Sequence, residues 1–162
     1  MPYRKMGANE MKITPHISYT EAIKSQTATR IGIDNTPTDE HLKNMEMVAT
    51  KCFEPVRVNH GKPIGVSSFY RSPRLNTAIG GSKTSDHSRG CAIDIDADIY
   101  NNGITNKEIF EFIKDNLKFD QLIWEYGDVK NPAWVHVSYR SERENRNQIL
   151  IASRIGYQLW EE

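Results

Sequence analysis

Cysteine is scarce in this chain: Cys52 and Cys91 are its two, and neither lies in a CxxC pair. That excludes a disulfide framework and leaves free, buried thiols as the reading for both. An excess of either charge is missing too, since Lys+Arg and Asp+Glu both count 21. A formal net charge of zero gives no reason to expect nucleic acid or an anionic membrane surface as the main partner. No apolar run approaches the length of a membrane span, so insertion is not expected. Met1 to Lys12 mixes charges and lacks the apolar core of a signal peptide, so synthesis in the cytosol is expected. Repeats, low-complexity tracts and linkers are also absent. A chain of 162 residues can bury roughly two thirds of its unfolded surface without crosslinks. We read it as one domain over residues 1–162, with residues 1–36 as an N-terminal arm packed on it.

What is present centres on Ser85-Asp86-His87-Ser88-Arg89-Gly90 followed by Cys91-Ala92-Ile93-Asp94-Ile95-Asp96. The second half alternates apolar and acidic residues, which is the pattern of a half-buried strand. Ala92, Asp94 and Asp96 share one face, and Cys91, Ile93 and Ile95 take the other. Far downstream, Trp134-Val135-His136-Val137-Ser138 repeats the design with His136 on the polar face. Taken singly, a histidine in a strand is more often a satisfied side chain than a ligand, and a lone aspartate is more often a surface group. Jointly, both strands put polar groups where an apolar residue would be the default. Two imidazoles and one carboxylate, with a fourth position left to water, is the composition of a catalytic zinc site.

The remaining chain reads as packing and connection. In the arm, Thr20 is a candidate cap for one or two helical turns, Arg30 to Asn35 reads as a loop, and His16 reads as a surface residue. Thr36-Pro37-Thr38-Asp39 signals a helix start with Thr36 as N-cap, and Leu42, Met45, Val48, Ala49, Cys52 and Phe53 form its apolar stripe, ended or kinked at Pro55. Ile64 to Arg71 alternates as a strand, and Ser72-Pro73 opens a short helix that stops at Gly80-Gly81. Arg71 therefore sits at a strand end, from which a guanidinium reaches either a cleft or a surface ion pair. Thr105-Asn106-Lys107-Glu108 is a capping box. Phe119 to Tyr126 is the next strand, and turn residues from Gly127 to Ala133 join it to the His136 strand as a hairpin. Ile149 to Ala152 is a last apolar strand. The fold class is α+β, a small antiparallel sheet carrying a zinc site with packed helices on its other face. Cys91 with His87 makes a poor nucleophilic pair, since Cys91 falls on the apolar face with no cue for a lowered pKa.

Phe69-Tyr70-Arg71-Ser72-Pro73, Asn76, Gly80-Gly81-Ser82-Lys83, Ser85-Asp86-His87, Gly90 with Ala92 and Asp94, and Trp134-Val135-His136-Val137-Ser138 together resemble the D-alanyl-D-alanine carboxypeptidase family of zinc peptidases. That family includes D-Ala-D-Ala dipeptidases and L-alanoyl-D-glutamate endopeptidases used as phage endolysins. The resemblance runs from about residue 13 to residue 152, and the arm from Thr27 to Asn35 is similar to phage and prophage members. It implies Zn2+ held by His87, Asp94 and His136, Arg71 on a substrate carboxylate or carbonyl, and Ser85 bonding substrate or supporting the site. It further implies peptidoglycan stem peptides as partners, a monomer, and action on the cell wall, after phage-mediated release in an endolysin. Many members carry the catalytic acid three residues before the second histidine ligand, where this chain has Ala133. Glu125 is the first candidate to replace it, because the hairpin brings its strand end opposite Val135 or His136. Pairing with His136 puts both side chains on one face, and a slip of one residue turns Glu125 away. Asp128 is second; Asp96, about 7 Å along the strand from Asp94, is third. Ala133 also keeps open the alternative of a catalytically inactive, zinc-stabilised wall-binding or virion-associated module.

Overall fold

Ile93, Ile95, Leu122, Trp124, Val135 and Val137 alternate with other residues along three stretches of chain, and all six are buried. That period puts them on one side of a sheet, where helices can cover them. The computed structural model, which describes residues 11–161, has this layout: a mixed α and β fold with one main apolar core between sheet and helices.

The arm contributes the antiparallel pair β1 (Lys12–Thr14) and β2 (Ile17–Ser18), then α1 (Tyr19–Ile23) and α2 (Gln26–Ile31). Ser18 caps α1, accepting from the Glu21 N–H at 3.0 Å, so the cap is not Thr20. Ser25 caps α2, which takes the helix into the start of the segment read as loop. Ile17 and Ala22 belong to the main core. Asn35 pins the arm: its Oδ1 accepts from Ser72 N–H at 2.7 Å, and its Nδ2 donates to the Ile23 and Tyr70 carbonyls. Residues 1–10 of the expected arm lie outside the described residues.

The long helix starts two residues later than its sequence signal. α3 (Asp39–Val48) is capped by Thr38, which accepts from His41 N–H at 3.1 Å. Thr36 is already engaged, because Asp34 Oδ1 accepts from both its N–H and its hydroxyl. This local turn leaves Pro37 outside the helix. Pro55 does not end the helix either. A π-helical turn, Ala49–Phe53, runs into α4 (Glu54–His60), and Pro55 occupies the first turn of α4, where its missing N–H is least costly. Met45, Val48, Cys52 and Phe53 are fully buried packing residues, and both cysteines are free and buried.

β3 (Gly65–Ser68) leads to α5 (Pro73–Ala78), with Ser72 as cap and Pro73 at the first turn, as the sequence indicates. β4 (Ala92–Asp96), α6 (Asn106–Asn116), β5 (Gln121–Glu125), β6 (Trp134–Ser138), β7 (Gln148–Ser153) and β8 (Gly156–Leu159) complete the chain. The main sheet has the order β3-β4-β6-β5-β7-β8. From β3 to β5 every pair is antiparallel, the arrangement expected of the site-bearing strands. The chain then crosses back to the far side of β5, so β7 runs parallel to it and the whole sheet is mixed. β8, which pairs with β7 at the edge, has no counterpart in the sequence reading.

Two buried polar residues fix the ends of β6. At one end, Asn106 is fully buried: its Oδ1 accepts from Ala97 N–H at 2.7 Å, and its Nδ2 serves Asp96 Oδ1 and the Pro132 and Ala133 carbonyls. At the other, buried Asp120 accepts from the Arg146 backbone and guanidinium and from the Ser138 hydroxyl. Asn106→Ala strands several buried groups at once, and we expect it to lower stability by about 2–4 kcal/mol in urea unfolding. A loss below about 1 kcal/mol would show that the Asn106 bonds do not fasten β4 to β6.

Candidate metal centre and cleft

His87 arrives at the site on a 3-10 turn, Asp86–Arg89, whose first N–H groups are capped by Ser85; the Ser85 hydroxyl accepts from His87 N–H at 3.3 Å. Gly90 closes that turn with φ of 78°. A Cβ there would come within 2.6 Å of the His41 carbonyl oxygen and 2.8 Å of Met45 Cγ, so helix α3 leaves room for glycine alone. The chain then enters β4, where Asp94 stands directly opposite His136 of β6. Residues paired across strands share a face, so the carboxylate and the imidazole meet. His136 Nδ1 lies 3.0 Å from Asp94 Oδ1, and His87 Nε2 lies 3.2 Å from the same oxygen. One ligand atom from each of the three residues lies within 4.8 Å of the others.

The donor set fits a cation. His87 Nδ1 lies 2.7 Å from the Phe69 carbonyl oxygen, which can only accept, so Nδ1 carries the proton. The lone pair of the neutral ring is then on Nε2, which faces an anionic oxygen. Two acceptors at that distance need a proton or a metal ion between them. A histidine whose outer nitrogen is held by a backbone carbonyl is also the usual arrangement behind a metal ligand. Burial disfavours ionised Asp94, yet the two histidines outweigh it and hold its carboxyl far below the usual range. Burial likewise opposes the His136 imidazolium, but its hydrogen bond to Asp94 raises its pKa.

These residues line a cleft of about 540 Å3 together with Arg71, Ser85 and Glu125. Glu125 pairs with Trp134, not with His136, whose partner on β5 is Ile123. The offset is two residues, which preserves the face, so Glu125 still shares the side of His136 and Asp94. Burial is the main reason that its pKa is pushed up to about 7; Asp94 adds to this, while His136 and Arg71 oppose it. Arg71 follows β3, and burial lowers its pKa despite the pull of Asp94, Glu125 and Tyr157. Its Nε is buried without a hydrogen-bond partner among the described residues.

The other candidates are committed elsewhere. Asp96 Oδ1 accepts from Asp98 N–H and Asn106 Nδ2, and Asp128 Oδ1 accepts from the N–H groups of Lys130 and Asn131. His16 of the arm pairs with Glu54 of α4. Cys91 is buried, and its thiol is pushed up to about 11, as its place on the apolar side of β4 suggests. Sequence reasoning missed Gln121, Arg140, Arg146 and Tyr157, which also line the cleft. The alternation in Tyr157-Gln158-Leu159-Trp160 was the available signal for the last of these.

A family model described as Peptidase M15 matches residues 15–138, more than half of the chain. No curated protein matches it.

Two measurements test the geometry. Zinc at about a hundred times its Kd should raise the thermal midpoint of the protein by roughly 5–10 °C and leave that of His136→Ala unmoved; equal shifts would place the metal elsewhere. In metal-free protein, ionised Glu125 opposes folding above its folded pKa of about 7 and is without effect below its ordinary value near 4.5, where both states are protonated. Glu125→Gln is therefore expected to stabilise the metal-free fold at pH 8, by at most about 3 kcal/mol, and to change little at pH 4. A variant no more stable than the parent at pH 8 would mean that Glu125 is not desolvated.

Proposed function

The chain belongs to the peptidase M15 family of zinc peptidases that act on peptidoglycan, and from that premise we propose that it hydrolyses an amide bond in the stem peptides, either D-Ala-D-Ala or L-Ala-D-Glu. The observation that carries this reading is the placement of Glu125 and Arg71 in one cleft with the His87, Asp94 and His136 cluster.

His87, Asp94 and His136 would hold zinc, with the Phe69 carbonyl orienting His87. Bound there, zinc supplies Lewis acidity toward a scissile carbonyl and an attacking water. Glu125 takes the place of the acid that Ala133 does not provide. Its raised pKa suits both halves of the task, accepting a proton from the attacking water and passing it to the leaving amine. Arg71, with its unpartnered Nε, is suited to a substrate carboxylate or carbonyl oxygen. Ser85 caps the His87 turn and also faces the cleft, so it supports the site and is available to substrate. Free carboxylates on the stem peptides fit an arginine beside the metal centre. The resemblance of the arm to phage members supports an endolysin role, with a monomer acting on the wall after release by a separate membrane-permeabilising protein.

Hydrolysis of purified muropeptides by zinc-loaded protein, read by mass spectrometry, tests the reading and names the bond. We expect His136→Ala to abolish cleavage and Glu125→Gln to reduce it by roughly a hundredfold or more. Full activity in Glu125→Gln would remove Glu125 as the base. Zinc binding without cleavage of any wall fragment would replace the enzyme with a wall-binding module.

A further inference from the structure

The family match ends at Ser138, but the cleft continues beyond it. Beyond Ser138 it is lined by Arg140 and Arg146, which precede β7, and by Tyr157 of β8, the strand at the edge of the sheet. A row of paired residues runs across the site face from Trp134 on β6 through Glu125 on β5 and Ala152 on β7 to Tyr157 on β8. All four side chains point to one side. Adjacent strands are about 4.8 Å apart, which puts Tyr157 about 10 Å from Glu125 along the row. Ala152 between them presents only a methyl group, so nothing bulky separates the phenol from the carboxylate.

Neighbouring rows offer no equivalent group. The row through His136 continues with Ile123, Leu150 and Leu159, all apolar. In the row beyond it, Gln121 Nε2 donates to Gln148 Oε1 at 2.7 Å, so those amides already have each other. Tyr157 lines the same cleft as Glu125, Arg71 and Asp94 while remaining two-thirds exposed. An exposed aromatic and Leu159 on an edge strand are a liability unless something lies against them.

We propose that Tyr157 is a substrate-contacting residue of this peptidase, its hydroxyl donating a hydrogen bond to a carbonyl or carboxylate oxygen of the stem peptide beside Glu125. The proposal rests on the function read above. Burial and the nearby carboxylates raise the phenol's pKa above its ordinary value, so it keeps its proton to donate. Because the contact is away from the reacting atoms, it strengthens the bound substrate and the transition state alike.

The test compares zinc-loaded parent, Tyr157→Phe and Tyr157→Ala on the stem peptide that the parent cleaves. Tyr157→Phe should raise KM roughly tenfold with kcat within about twofold, at unchanged zinc content and thermal midpoint, and Tyr157→Ala should raise it further. An unchanged kcat/KM in Tyr157→Phe, with an active parent, overturns the proposal and leaves the peptidase reading intact. Should the parent cleave nothing, calorimetric binding of an intact muropeptide decides: weaker binding by Tyr157→Phe sustains the contact, and equal binding, or none by the parent, overturns it.

Discussion

Asp94 and His136 face each other across an antiparallel pair, and a slip of one residue in that register would send one of them to the helix-covered side. The site depends on this pairing because β4 and β6 each carry a single member of the cluster. The pairing is held from both ends. Asn106 binds the start of β6 to the end of β4, and Asp120 with Ser138 binds the end of β6 to the start of β5. His87 is the one member from outside the strands, and its place is set by a turn that only glycine can close against α3.

Two carboxylates on one face then acquire opposite characters. Asp94 is embraced by two imidazoles and stays ionised; Glu125 is buried in the same cleft and holds its proton more tightly than a free glutamate. This divergence, set by neighbours and burial rather than residue type, is what the proposed division between a metal ligand and a proton-exchanging acid requires.

Much of this was legible because strand alternation is a local signal. Asp94 and His136 show their face in the residues beside them, and Ser72-Pro73 and Thr105 carry their own capping chemistry. What was not legible depends on competition or distance. Thr36 and Thr38 are equal caps until Asp34 takes one of them. The two-residue offset of Glu125 follows from the length and shape of the turn after it, with Tyr126 and Gly127 both at positive φ, which alternation does not report. Asn106 looks like an ordinary first-turn residue, and its bonds to Asp96, Pro132 and Ala133 appear only once three separate segments have been brought together.

The two cysteines have a practical meaning. Cys52 and Cys91 are buried and unpaired, their thiols pushed up to about 12 and about 11 by burial. Since the thiolate is the species that reacts with oxidants and alkylating reagents, burial and a raised pKa slow both thiols at neutral pH. One cysteine engineered at the exposed Val129 position is therefore expected to react with a maleimide dye well before either native thiol.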